Sequence, residues 1–412
     1  MKSVVPSSCF CAFFLWAFAA NGSDAFIPEK PDPAAAGMDG ARLARIPARM
    51  KEFVDKGTAA GFVTLVARHG RLASLEAVGF QDREAKTPMR ADSLFRIASM
   101  TKPMTVAGLM ILVDEARIGL LDPVEQYLPE FKGIKLNPCG AGRSGAGCDL
   151  IDPPRPFTVR DLMTHTSGLP GQGASAGSEP VRSLADRIRT GARVTLLAEP
   201  GTVWNYSNIG FATLGRLIEV VSGQPYDQFM EQRLFQPLGM TDTAFFPAQE
   251  KAGRQAVMYT LEADGKLTRA ASPAPPAVRI PAPEGGLWST AADQSRFYQM
   301  LLNQGTLNGK RILSAAAVDA MTTNQTGDLK GAEFAPGLGM GFGFGVVRQA
   351  IGTFRYQSAG AFVKGGAYRT YGWGDPAKAM LGIVMFQRTN GGGDMAPEIT
   401  AFATLANAAV DR

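Results

Sequence analysis

Ser99 and Lys102 stand three residues apart in Phe95-Arg96-Ile97-Ala98-Ser99-Met100-Thr101-Lys102, at the head of an apolar run. Positions i and i+3 of a helix share a face, so Ser99 Oγ and Lys102 Nζ can meet while Met100 and Thr101 point elsewhere. A serine hydroxyl is a weak nucleophile until a neighbouring base takes its proton, and lysine is one recognised base. A helix start adds backbone N–H groups and positive dipole that favour a developing oxyanion. Alone the pattern arises by chance in most chains of this length, and reads equally well as a helix cap with a surface lysine. Its meaning depends on partners elsewhere.

Three further stretches bear on it. In Asn205-Tyr206-Ser207-Asn208 the tyrosine could act as a base if a cation lowers its pKa from about 10, and Lys102 would be that cation. Asn208 could bond the lysine or a substrate carbonyl. In Lys364-Gly365-Gly366-Ala367 two glycines on a strand would let a substrate lie close to the backbone. An N–H there, with that of Ser99, would make a two-donor oxyanion hole, and Lys364 could bind a carboxylate or tune the field. Only two histidines exist, so a Ser-His-Asp triad would have to use His69, in an expected hairpin turn, or His165, at a helix end where it holds a loop. Gly173-Ala174-Ser175-Ala176-Gly177 matches the nucleophile-elbow pattern, but no buried strand precedes it, so Ser175 is a decoy.

The elements that must position these residues follow from periodicity. Arg42 to Asp55 reads as an amphipathic helix marked by Pro47. Phe62–Arg68 and the stretch to Phe80 read as a hairpin turning at His69-Gly70. A buried helix is expected from Lys102 to about Ile118, and a short one from Asp122 toward Phe131. Further helices are expected near 157–163, capped by Thr158, and at 207–222, 224–236, 290–303, 314–321 and 397–410. Strands are expected at 341–347, 354–357, 366–373 and 379–386, while 170–180 and the strand-poor, Pro-rich 250–285 read as excursions. Strands at both ends with helices between imply one antiparallel sheet assembled from both chain ends.

The chain has 412 residues, 45% of them hydrophobic, with 42 basic and 37 acidic side chains. That length suggests two lobes, and no basic–aromatic cluster marks a nucleic-acid surface. Residues 1–20 read as a signal peptide: Lys2 precedes an apolar run from Cys9 to Ala20, with small residues near Ala19 and Ala20 for cleavage. A lipid anchor on Cys9 or Cys11 is the alternative. Export to the periplasm or medium follows, with a linker over 21–40 and no membrane attachment after cleavage. Cys139 and Cys148 then form the remaining pair, and a disulfide is expected in an oxidising compartment.

Taken together the chain resembles the serine β-lactamase/penicillin-binding-protein superfamily, for which Ser-x-x-Lys is a signature. The resemblance runs from about 41 to 405. It rests on the Ser99 segment, Leu128-Pro129-Glu130-Phe131, His165-Thr166-Ser167-Gly168-Leu169, Tyr206-Ser207-Asn208, Pro237-Leu238-Gly239-Met240 and Gly285-Gly286-Leu287-Trp288-Ser289-Thr290-Ala291-Ala292-Asp293, in that order. It looks most like class C β-lactamases and the family VIII carboxylesterases that share their fold. The implied fold is α+β: an α/β sandwich with an antiparallel sheet (41–105 and 286–412) and a mainly helical inserted domain (106–285). The implied nucleophile is Ser99, with Lys102 and Tyr206 as base pair and the N–H groups of Ser99 and Ala367 as oxyanion donors. Asn208, Lys364, Gly365 and Gly366 would line the substrate. Lys364-Gly365-Gly366 is a hybrid of the lactamase Lys-Thr-Gly and the esterase Trp-Gly-Gly or His-Gly-Gly patterns, and Tyr368-Arg369 departs from the small residues usual in lactamases. The reading is therefore an esterase of short-chain acyl esters with weak lactam hydrolysis. The alternatives are a class C-type β-lactamase or D-alanyl-D-alanine carboxypeptidase, and an inactive binding protein on the same fold. Neither metal nor cofactor is implied, and the partner is a small ester or lactam.

Overall fold

The computed structural model describes residues 30–140, 147–174, 180–271, 278–329, 335–390 and 396–411. The candidate signal run and Ser175 lie outside them. In chain order the strands are β1 (Gly61–Arg68), β2 (Arg71–Asp82), β3 (Thr87–Pro88), β4 (Phe95–Arg96), β5 (Tyr259–Leu261), β6 (Leu267–Arg269), β7 (Trp288–Ser289), β8 (Thr306–Leu307), β9 (Lys310–Arg311), β10 (Leu338–Met340), β11 (Gly345–Val347), β12 (Phe362–Gly365), β13 (Thr370–Asp375) and β14 (Met380–Met385). The helices are α1 (Gly40–Leu43), α2 (Arg45–Asp55), α3 (Thr101–Asp114), α4 (Val159–Met163), α5 (Leu184–Gly191), α6 (Asn208–Ser222), α7 (Tyr226–Met230), α8 (Gln236–Leu238), α9 (Ala291–Leu302), α10 (Ala315–Thr322) and α11 (Pro397–Ala408).

Eight strands form one antiparallel sheet in the order β10-β11-β12-β13-β14-β1-β2-β3. The two ends of the chain meet at its centre, where Val63 of β1 faces Met385 of β14. The fold is α+β, as expected, with helices packed on both faces of the sheet. Strand periodicity of two sorts each central strand between the two faces of the sheet. Phe62, Val66, Met380, Val384 and Phe386 pack in the cluster that includes Ile46 and Met50 of α2 and Phe402 of α11. Val63, Leu65, Leu381, Ile383 and Met385 pack in the cluster that includes Phe297 and Tyr298 of α9.

Helix α3 carries the site into the second face's core. Its apolar residues run all round it, and its first twelve residues are buried, as a helix without a polar face must be. It ends at Asp114, short of the expected Ile118, through a left-handed Ala116. The capping signals are where side-chain chemistry puts them. Thr158 and Asp161 form a capping box on α4, and Ser207, Thr290 and Ser314 accept from the first turns of α6, α9 and α10.

The C-terminal strands differ from expectation. The segment 354–357 is no strand; Gly352–Phe354 is a 3-10 turn opened by Gly352 at φ 54°. The expected 366–373 strand starts late: Gly366–Arg369 form the tight turn between β12 and β13, with Arg369 at φ 73°, and β13 begins at Thr370. The Pro-rich 250–285 stretch carries a small hairpin, β5–β6. The segment from Asp122 toward Phe131 forms two 3-10 turns. Cys139 and Cys148 are disulfide-bonded, Cα atoms 5.4 Å apart.

Candidate active site

Ser99 sits in a 3-10 turn, Ala98–Met100, that runs directly into α3. Ala98 before it is left-handed at φ 44°, a conformation alanine adopts at a cost of order 1 kcal/mol. Surrounding bonds hold it there. The Ile97 N–H donates to Leu287 O (3.0 Å), and the Ile97 carbonyl accepts from Thr370 Oγ1 (3.1 Å). The turn carrying Ser99 is thus fastened between the 285–288 stretch and β13, and Ser99 stays partly exposed.

Lys102, one turn on, is fully buried. Its ammonium donates to Ser99 Oγ (3.2 Å), Asn208 Oδ1 (2.8 Å) and the Glu284 carbonyl (2.7 Å). Burial, reinforced by the nearby Lys364 ammonium and opposed by the Glu284 carboxylate, holds its pKa well below the ordinary lysine range. The Tyr206 hydroxyl donates to Ser99 Oγ at 2.7 Å. Two cations stand near the Tyr206 ring: Lys102 Nζ is 4.7 Å from its centroid and Lys364 Nζ 5.3 Å. The structure therefore brings Ser99, Lys102, Tyr206 and Asn208 into one hydrogen-bonded cluster, with Lys364 of β12 against the tyrosine.

His165 is a support and carries no triad. It is completely buried, and its ring stacks on Tyr206 (centroids 4.5 Å apart, 29° between planes). Nδ1 accepts from the Ser207 N–H (3.1 Å), which places its proton on Nε2. Burial first, then Lys364 and Lys102, push its pKa well below the usual value, so the ring stays neutral. His69 is exposed in the β1–β2 turn.

At Gly366 the backbone of the Ser99 turn comes close. A Cβ there would lie 2.2 Å from the Ile97 carbonyl oxygen and 2.6 Å from Thr370 Oγ1. The missing side chain admits the Ser99 turn. Gly365 ends β12 and Ala367 follows in the exposed turn.

Residue types gave no sign of one important group, the Glu284 carbonyl. It is held by the side chains around it: Thr105 Oγ1 donates to the preceding Pro283 carbonyl (2.6 Å), Tyr226 bonds Thr105 (2.7 Å), and Arg187 of α5 ion-pairs with the Glu284 carboxylate. A conspicuous proline and a glutamate in 250–285 were the only available signals.

The Beta-lactamase family model matches residues 46–406. The chain belongs to that family. It is 35% identical over 363 residues to protein Rv1367c of Mycobacterium tuberculosis, covering 82% of this chain and 88% of that one. It is 31% identical over 404 residues to esterase EstB of Burkholderia gladioli, covering 87% and 93%. Among solved structures it resembles EstCE1, described as a hydrolase with promiscuous acyltransferase activity, with TM-score 0.74, 25% identity and coverage of 90% and 99%. Membership of this family makes the Ser99 cluster the place to look for chemistry.

Proposed function

We propose that this chain is a serine carboxylesterase acting on short acyl esters through an acyl-Ser99 intermediate. The observation that carries the reading is the three-way contact of Lys102 Nζ, Ser99 Oγ and Tyr206 OH. As Ser99 Oγ bonds the ester carbon, its proton passes to the Lys102–Tyr206 pair, which accepts it once the Lys102 ammonium has given up a proton, a loss that burial favours. The carbonyl oxygen, now anionic, accepts from the N–H groups of Ser99 and Ala367. The tetrahedral adduct collapses, the C–O bond to the alcohol breaks, and the pair returns the proton to the departing alkoxide. Water then gives a proton to the pair, attacks the acyl carbon and releases the acid, while Ser99 regains its hydrogen.

The similarity to EstB and EstCE1 supports ester over lactam chemistry, as does the Tyr368-Arg369 turn beside Ala367. The disulfide and the apolar run near the N-terminus support action outside the cytoplasm. Lys364 against Tyr206 favours a second reading, a β-lactamase or D-alanyl-D-alanine carboxypeptidase. Ser99→Ala should abolish hydrolysis of p-nitrophenyl butyrate while the melting curve stays that of the parent; retained wild-type rates would sink the assignment. A kcat/KM for nitrocefin exceeding that for the butyrate would favour the lactam reading.

A further inference from the structure

A cleft of about 870 Å³ opens beside the nucleophile turn, and Arg96, Trp288, Tyr368, Asp82, Arg269 and Gln255 line part of it. Three links tie it to the site. Arg96 precedes Ser99 by three residues, Tyr368 follows Ala367, and Trp288 is the strand partner of Arg96. The cleft therefore borders the turn that carries Ser99.

Arg96 is held by its backbone and by ring faces. Its N–H donates to Gln387 Oε1 (3.1 Å), and its carbonyl accepts from Gln387 Nε2 (3.2 Å). Its guanidinium carbon lies 5.7 Å from the Trp288 ring centroid and 5.3 Å from that of Tyr368. Neighbouring arginines are neutralised: Arg269 by Asp82 and Glu84, Arg254 by Asp242. The Arg96 guanidinium has no hydrogen bond and no ion pair among the described residues. Two aromatic faces orient it without using its N–H donors, whose fork matches a carboxylate. The other charges on the cleft wall, Asp82 and Arg269, pair with each other, so the cleft carries a net positive charge.

We propose that Arg96 binds a carboxylate on the substrate, so that the cleft selects anionic esters. This deepens the esterase reading and rests on it. The carboxylate can be borne by the acyl part or by the alcohol part, and two substrate pairs separate these sources. One pair is mono-p-nitrophenyl succinate against p-nitrophenyl butyrate. The other is 4-carboxyphenyl butyrate against phenyl butyrate.

The readout is the ratio of kcat/KM, anionic over neutral, within each pair, measured for wild type, Arg96→Gln, Arg96→Lys and Arg269→Gln. In at least one pair Arg96→Gln should lower the ratio about tenfold or more, the scale of a lost charge-assisted bond. Arg96→Lys keeps the charge and loses the fork, so it should fall between, and it carries the test if the glutamine variant does not fold. Arg269→Gln leaves Asp82 unpaired on the cleft wall but keeps the Arg96 fork, so it should lower the ratio by less than Arg96→Gln does. A ratio unmoved in both pairs by the Arg96 variants overturns the proposal, because an arginine that only stiffens the turn would lower anionic and neutral rates alike. A loss produced by Arg269→Gln in place of Arg96→Gln overturns the assignment to Arg96. Should wild type cleave none of the four esters in a Ser99-dependent way, the esterase reading itself fails and this inference falls with it.

Discussion

Replacing Gly366 with alanine tests how the site is assembled. The new Cβ would stand 2.2 Å from the backbone oxygen of Ile97, whereas carbon contacts are comfortable only near 3.5 Å. Neither partner is the loose end of a flexible side chain, since Ile97 is also bonded to Leu287 and Thr370. β12 and the nucleophile turn must therefore separate by roughly 1 Å, which lengthens the distance between the Ser99 and Ala367 N–H groups. A misplacement of that size costs about 100-fold in rate, close to 2.7 kcal/mol of transition-state stabilisation. Overpacking adds about 1–3 kcal/mol of lost stability. The assay is kcat/KM for p-nitrophenyl butyrate together with pre-steady-state acylation and a thermal melt. The expected result is a folded protein, slow in acylation. A Gly366→Ala enzyme within about threefold of wild type would refute the reasoning, because the close approach of β12 to Ile97 would then have no bearing on catalysis.

Other perturbations address single links. Lys364→Met removes a positive neighbour of Lys102, so the lysine holds its proton more tightly and the acid limb of the kcat/KM–pH profile should move to higher pH; a limb that stays or moves down contradicts the shared field. Thr105→Val strips partners from the Pro283 carbonyl and the Tyr226 hydroxyl, costing about 1–3 kcal/mol for each group left unsatisfied. Denaturant unfolding should show that loss, and kcat should fall with KM little changed, because the adjoining Glu284 carbonyl no longer holds Lys102. Cys139→Ser should lower stability by about 2–3 kcal/mol, the entropy of one short loop, with kcat intact, as calorimetry and butyrate kinetics would show.

Much of this architecture is legible in the residues, for identifiable reasons. Period-two alternation in Phe62–Ala67 and in Met380–Phe386 specifies both faces of the central strands. The caps at Thr158, Ser207, Thr290 and Ser314 are side-chain devices and therefore visible as letters. What stays hidden is carried by backbone. Nothing about an arginine announces a φ of 73° at Arg369, so the β12–β13 turn reads as continuous strand. The Glu284 carbonyl is an acceptor every residue possesses, and only tertiary packing selects it for Lys102. His165 was legible as a loop-holding histidine, while its stacking on Tyr206 depends on a contact across forty residues of sequence that local pattern does not encode.

The pairing of β1 with β14 also has a consequence in time. Val63 finds Met385 only after nearly the whole polypeptide exists, and Thr370, which fastens Ile97, belongs to β13. Long-range pairing of this kind is slow, since loop closure must precede any gain from the contact. An emerging chain can form α3, with Ser99 and Lys102 already in register, yet it has no strand on which to set the nucleophile turn. The cluster proposed to hydrolyse esters is therefore completed only when β12 to β14 have joined the sheet.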